Sequence, residues 1–185
     1  MRERGYSGAR SACHPSWTER LVHSKLSTPA GAFEVVCAAD VVVFAAFARG
    51  RDGVRERDAY LARAWPGATC EAGALPGSVA RAFGKYFEGK HAALDGLEIA
   101  VCGTAFERQV WGCLRTVAVG STTTYGAVAS AVGRPTAARA VGGATHRNPV
   151  ALVVPCHRVV GSRGALVGYA GGLGKKAWLL GHERG

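Results

Sequence analysis

Absences narrow this sequence first. None of its six cysteines (Cys13, Cys37, Cys70, Cys102, Cys113 and Cys156) lies in a Cys-x-x-Cys pair, and their spacings match neither a disulfide framework nor a zinc finger. Single buried thiols in a reducing compartment are the simplest account. No apolar run approaches the roughly 20 residues that a membrane-spanning helix needs. The opening residues lack the apolar centre of a signal peptide. Glu3 and Glu19 argue against reading Arg2, Arg4, Arg10 and Arg20 as part of a transit peptide. The expectation is a flexible basic tail over residues 1–20 and a cytoplasmic protein, on the nucleoid when at work in a bacterium or nuclear in a eukaryote. No internal repeat is visible. Acidic residues are few: 13 Asp and Glu against 23 Lys and Arg, a formal charge of +10. That excess favours a polyanionic partner such as DNA or RNA, although a basic protein with no such role has the same count.

What is present is enough for a core. The chain has 185 residues, 48% of them hydrophobic, which fits one or two domains. Leu21-Val22, Phe33-Glu34-Val35-Val36 and Val41-Val42-Val43-Phe44 are short apolar runs. Turn residues separate them, so they predict a small antiparallel sheet. Helical spacing predicts a helix over Arg55–Trp65, stopped by Pro66-Gly67, and another over Ser78–Phe87, with Val79, Phe83 and Phe87 on one face. Residues 94–102 read as a linker. The second half is more helical. Thr104 and Glu107 form a capping box before Val110, Trp111 and Leu114. Thr124 caps a short helix over Tyr125–Val132, Gly133-Arg134 turns the chain, and Pro135 suits the first position of a helix running to His146. Two short helices about a tight turn read as a helix-turn-helix, a weak DNA signal in isolation. A last helix covers Leu173–Glu183.

The segment Pro155-Cys156-His157-Arg158 carries the chemistry. A lone cysteine is usually a small core residue. One set between a proline and a histidine, after the apolar run 150–154, is a better candidate for a reactive thiol. A free thiol has a pKa of about 8.5, so ionisation at neutral pH needs a base or a positive charge nearby. Neighbouring side chains on an extended chain point apart, so His157 would act through a turn or a bridging water.

Pro155-Cys156-His157-Arg158, with Gly168-Tyr169-Ala170-Gly171-Gly172 downstream and Arg139-Ala140-Val141-Gly142-Gly143 and Asn148-Pro149 upstream, resembles the O6-alkylguanine-DNA alkyltransferases. The likeness is specific from Gly103 to Glu183 and weak before. It implies an α+β fold: a small N-terminal α/β domain, ribonuclease H-like, over 21–93, the linker 94–102, and a mainly helical DNA-binding and alkyl-acceptor domain over 103–185. It implies transfer of an alkyl group from O6-alkylguanine, and from O4-alkylthymine, to Cys156 in one irreversible turnover. His157 takes the thiol proton through a water, and Glu183 orients His157. Asn148 is a hinge tying the helix-turn-helix to the cysteine segment. Arg139 fills the gap left by the flipped nucleotide, with Ala138 and Gly142 allowing close approach to the DNA backbone. Tyr125 turns the target phosphate and gives a proton to the leaving guanine. Tyr169, Val159, Ala151, Val167 and Ala170 line the base pocket. The partner is double-stranded DNA containing alkylated guanine, bound by a monomer, with cooperativity on DNA open. No membrane and no cofactor are implied.

Departures matter. Ala105, Ala118 and Ala151 stand where the family commonly has proline, Ala170 where many members have serine, and Val167 where a small residue is frequent. Val167 and Ala151 together predict one side of the pocket narrowed and apolar contact reduced on the other. Some members carry a structural zinc. Cys13, His14, Cys37 and His91 do not reproduce its ligands, so no metal is expected. The rival readings are a non-catalytic binder of alkylated bases, which Cys156 opposes, and a helix-turn-helix regulator, for which Ala137, Ala138, Gly142 and Gly143 offer few base-reading side chains. A Cys-His hydrolase would need an oxyanion loop that is not evident.

Overall fold

The computed structural model describes residues 20–185. The basic tail and the pair Cys13 and His14 lie outside the described residues, except that Arg20 is not tail but the first residue of a strand. Three antiparallel strands follow: β1 (Arg20–Thr28), β2 (Gly31–Ala38) and β3 (Val41–Phe47). The β1–β2 turn is closed by Gly31, whose φ of 110° suits glycine, and by the Thr28 hydroxyl, which donates to Gly31 O at 2.5 Å. Helix α1 (Gly50–Ala64), strand β4 (Thr69–Ala72) and helix α2 (Gly77–Phe87) complete this half.

The sheet order is β3-β2-β1-β4, and β4 runs parallel to β1. The sheet is therefore mixed, not purely antiparallel. Sequence reading misses β4 because all four of its residues are exposed, so they carry no apolar alternation. Helix α1 begins five residues before the expected Arg55. Its first turn, Gly50-Arg51-Asp52-Gly53, is polar and glycine-rich, and Asp52 suits the positive end of the helix.

Alternation along β2 places the sheet between two layers. Phe33, Val35 and Cys37 face α2 and its Val79, Phe83 and Tyr86. Val36 and Ala38 face α1 and its Tyr60 and Leu61. The first core continues into the second half, taking in Val150 to Val153 and Leu179. Two later segments pair with β3 and cover its free edge. Val42 N–H donates to Glu98 O at 2.9 Å, so the expected linker runs beside the strand. Ala45 N–H donates to Pro149 O at 2.8 Å and Ala151 N–H to Ala45 O at 2.7 Å. The edge strand thus acts as a template for the chain leading to Cys156.

The second half contains α3 (Ala105–Arg115), β5 (Thr123–Thr124), α4 (Tyr125–Ala131), α5 (Ala138–His146), β6 (Val159–Val160) and α6 (Leu173–His182). The Thr104–Glu107 capping box is formed in both directions, and Thr124 accepts from Ala127 N–H as a cap. Helix α5 starts at Ala138, later than the expected Pro135. Residues 134–137 form a turn, with Ala137 N–H donating to Arg134 O at 2.9 Å. Helices α3, α4 and α5 share a core of Val110, Trp111, Leu114, Val128 and Val141, to which Cys156 also belongs. Trp111 Nε1–H donates to Ala144 O at 2.8 Å and fixes α3 against α5. No helix among the described residues is long and apolar enough to cross a membrane.

Candidate active site

Cys156 follows a tight reversal. Leu152 has φ of 72°, in the left-handed region, and is buried. A bulky residue there costs about 1–2 kcal/mol, which the surrounding packing must offset. Asn148 holds both ends of this reversal. Its Nδ2 donates to Val154 O at 2.8 Å, and its Oδ1 accepts from Val150 N–H at 3.0 Å. Asn148 lies two residues beyond the end of α5, so it couples the helix pair to the cysteine segment. Residues 156–158 then form a single 3-10 turn, and β6 pairs in parallel with β5. Cys156 lines the neighbouring cavity and His157 does not.

Cys156 lines a cavity of about 120 Å³ with 7% of its surface exposed, while His157 is fully buried. Burial pushes the Cys156 thiol up, against the pull of the Asn148 amide, the Lys176 charge and nearby backbone N–H groups. At rest the group is a thiol, and reaction requires that its proton leave. Burial pulls the His157 imidazole down, so the ring is neutral. Its Nε2 lies 2.8 Å from Glu183 Oε1. Burial acts to raise the Glu183 pKa, but the bonds from His157 and Arg158 outweigh it and hold the group well below the usual carboxylate range. A carboxylate only accepts, so Nε2 carries the ring proton and Nδ1 keeps its lone pair. Nδ1 is buried and has no hydrogen-bond partner among the described residues. A neutral imidazole held this way by a carboxylate is chemically able to accept a proton through Nδ1.

Glu183 is gripped from two elements, the 3-10 turn and α2. Arg158 binds it bidentately, Nε to Oε2 at 2.8 Å and Nη2 to Oε1 at 2.9 Å, and also donates from Nη1 to Val117 O at 2.6 Å. The Tyr86 hydroxyl, from α2, donates to Oε1 at 2.8 Å. Lys176, fully buried on α6, donates to Val159 O at 2.6 Å, Val167 O at 2.5 Å and Gly168 O at 3.3 Å. It thereby binds β6 and the 161–172 loop to the last helix.

Of the expected site residues, Tyr125, Gly142, Asn148, Ala151, Cys156, Tyr169 and Ala170 line the cavity. Val159 and Val167 do not: Val159 is buried, and the Val167 side chain is exposed and lies over Gly161. These two approach the site through the carbonyls that Lys176 holds, so Val167 does not narrow the pocket with its side chain. Tyr125 reaches toward the same loop, its hydroxyl 3.5 Å from Val167 O, and burial pushes its phenol up. Burial raises the Tyr169 phenol as well. Arg139 is exposed on the first turn of α5, outside the cavity, with Ala138 half-buried.

Several lining or supporting residues escaped the sequence reading. Phe47, Arg49 and Glu56 come from the sheet half, Arg49 pairing with Glu56. Their only advance signal is that a basic helix start follows an apolar strand, which is too common to use. Arg158 stood inside the quoted motif, and only its role was missed. Nothing local marks Tyr86. Of the residues weighed for zinc, Cys13 and His14 lie outside the described residues, and Cys37 sits inside the sheet core with its thiol pushed up to about 12 by burial. Among the described residues no group of three His, Cys, Asp or Glu side chains is placed to hold a metal ion.

Residues 105–185 match the family described as 6-O-methylguanine DNA methyltransferase, DNA binding domain. A methylated-DNA–protein-cysteine methyltransferase of Salmonella typhimurium is 42% identical over 167 residues, 89% of this chain and 96% of that protein. The crystal structure of the Mycobacterium tuberculosis O6-methylguanine methyltransferase superposes with a TM-score of 0.73 at 32% identity, covering 89% of this chain and 93% of that one. The same organism's protein in complex with DNA gives 0.72 at 31% identity, over 89% and 92%. With the likeness extending over both the sheet half and the helical half, the chain belongs to the methylated-DNA–protein-cysteine methyltransferase family.

Proposed function

We propose that this protein repairs DNA by direct reversal, moving an alkyl group from O6 of guanine in duplex DNA to its own Cys156. The observation that carries the reading is the cavity that exposes Cys156 between Tyr125 and Tyr169, with the sealed His157–Glu183 pair adjoining it in the chain. His157 Nδ1 receives the thiol proton through a water. Sulfur then attacks the alkyl carbon in line, the S–C bond forms, and the C–O6 bond breaks with its electron pair on guanine. The Tyr125 hydroxyl returns a proton to the leaving base. The product is a thioether with no acidic hydrogen and no ready leaving group, so each molecule acts once. A non-catalytic base-binding protein would have no use for a thiol supported in this way.

DNA reaches the site through α4 and α5. The lesion lies inside the stack and must be flipped out, at a few kcal/mol. Arg139 is the residue that enters the gap, and Ala138 and Gly142 let the helix approach the backbone closely. The formal charge of +10 supplies the sequence-independent attraction. On the same reading the chain divides at 94–102, with 21–93 as scaffold and 103–185 as the acting unit. The order β3-β2-β1-β4, with one parallel pair, supports a ribonuclease H-like description of the scaffold.

The deciding measurement is the intact mass after mixing with duplex DNA containing O6-methylguanine. A gain of one methylene per protein, on Cys156 and no further with excess DNA, is expected. No gain, or several turnovers per protein, would refute the reading. Arg139→Ala tests the access route. Its transfer rate on duplex DNA should fall more than its affinity for undamaged duplex. The deficit should shrink on single-stranded or mismatched substrate, where extrusion is easier. An equal deficit on every substrate would remove Arg139 from the stack.

A further inference from the structure

The residue that joins the sheet half to the proton relay is Tyr86. It is fully buried on α2, and it holds the end of α6 at two consecutive residues. Its hydroxyl donates to Glu183 Oε1 at 2.8 Å, the same oxygen that faces His157 Nε2 at 2.8 Å. Its backbone carbonyl lies 2.8 Å from His182 Nε2. The His182 ring also stacks on Trp178 at 4.7 Å. We propose that Tyr86 is a positioning residue for alkyl transfer, setting the direction and the charge of Glu183 and, through it, the basicity of His157. This inference rests on the reading of Cys156 as the alkyl acceptor.

Oε1 of Glu183 accepts from Tyr86, His157 and Arg158, and Oε2 from Arg158. Each donor stabilises the negative charge and so reduces what the carboxylate offers to an imidazolium forming on His157. Arg158 alone satisfies both oxygens, so the Tyr86 bond is not needed to keep Glu183 ionised. What it adds is a third direction, which fixes the carboxylate plane against rotation about its own axis. Tyr86 itself stays neutral: burial and the Glu183 charge push its phenol far above the usual range. The other titratable groups bearing on the pair are Lys176 and Cys156 on the His157 side, Tyr169, and His91 beside His182. None of them donates to Glu183 Oε1 among the described contacts.

Ring packing is a further reason to assign this role to the hydroxyl. The ring of Tyr86 packs edge-on to Phe87 at 5.3 Å and to His182 at 5.6 Å, and phenylalanine would fill that place equally well. Only the bond to Glu183 requires oxygen.

The test is single-turnover methyl transfer at saturating methylated duplex, followed across pH for the full chain and for Tyr86→Phe. Without the hydroxyl, Glu183 turns more freely and its charge is less shared. Transfer at neutral pH should slow by about ten-fold, the size common when a group orienting a reacting side chain is lost. The acid limb of the profile should move to higher pH, because His157 holds its proton more tightly. DNA affinity should not change. A second arm places 3-fluorotyrosine at position 86, which keeps the shape of the ring and strengthens the donor. It should move the acid limb to lower pH, opposite to phenylalanine, and this arm needs no loss of packing. A merely structural role predicts no such pair of opposite shifts. If the parent accepts no methyl group, the functional reading falls and this inference with it. If the parent accepts methyl while both variants reproduce its rate and profile, Tyr86 alone loses its role.

Discussion

Cys156→Ser is expected to end methyl transfer while retaining affinity for methylated duplex near that of the parent. The substitution keeps the size and the 3-10 turn of residues 156–158, so the cavity and the helix pair have no reason to move. What changes is the proton to be removed. The Cys156 thiol is already pushed up by burial, and the relay of His157 and Glu183 has to overcome that burial when the proton leaves. A serine hydroxyl is a far weaker acid, and its oxygen is less polarisable toward an alkyl carbon. A loss of more than about 10⁴-fold in the single-turnover rate is expected, in line with removal of a nucleophile that acts as part of a unit. On the proposed reading binding depends instead on α4, α5 and the basic surface, so fluorescence anisotropy with labelled duplex should give nearly superimposable curves. Intact mass provides the other half of the test. Methyl acceptance by the serine variant at a rate near the parent's would remove Cys156 from the reaction. Loss of both transfer and binding would show that the cavity and the DNA surface are one structural unit.

The contrast between what was legible and what was not follows the range of the interactions. Local signals were readable. Thr104 and Glu107 cap α3 as a reciprocal pair, and Thr124 caps α4, because a cap acts within four residues. The apolar run of β2 shows because both sheet faces are covered, whereas β4 has four exposed residues and nothing to read. Boundaries failed where sequence preference is weak. Pro135 fits a first helical position, yet the chain turns once more and starts α5 at Ala138. Pro155-Cys156-His157-Arg158 can be singled out because it is contiguous, and Cys156 lines the cavity. Glu183 was reachable only through resemblance, since a carboxylate near the end of a chain is ordinarily solvated. Its burial depends on Arg158 and Tyr86, which come from 25 and 97 residues away in sequence. Lys176 shows the same limit. A lysine in a helix predicts a solvated charge, and only the fold reveals the three carbonyls that bind it. Long-range polar contacts of this kind leave no periodicity in the chain, so no window of sequence can contain them.

The Arg158–Glu183 pair leads to the second large effect, on stability. Arg158→Met keeps an unbranched side chain of similar reach but removes both bonds to the carboxylate and the bond to Val117 O. The side chain of Glu183 has no exposed surface, so its charge cannot turn to water. Breaking a buried pair on one side costs about 3–5 kcal/mol, chiefly as the uncompensated partner. For a chain of this size that lowers the melting temperature by about 6–20 °C. The pH dependence carries the sign. In the parent, the folded-state pKa of Glu183 is depressed, so its contribution is complete above the ordinary carboxylate pKa of about 4.3 and is lost as pH falls below it. In the variant the carboxylate keeps only His157 and Tyr86 as donors, and its pKa rises. Protonation then relieves the penalty, and the gap in melting temperature between variant and parent should narrow as pH falls from 7.5 toward 5. Adding Glu183→Gln to Arg158→Met removes the charge itself. The double variant should recover more than half of the lost stability at pH 7.5 and lose the extra pH dependence, although it will not transfer methyl groups well. Thermal unfolding of parent, single and double variants across that pH range decides the matter. A double variant as unstable as the sum of the two singles would show that Arg158 contributes through packing and Val117, and that the buried charge is not what its removal exposes.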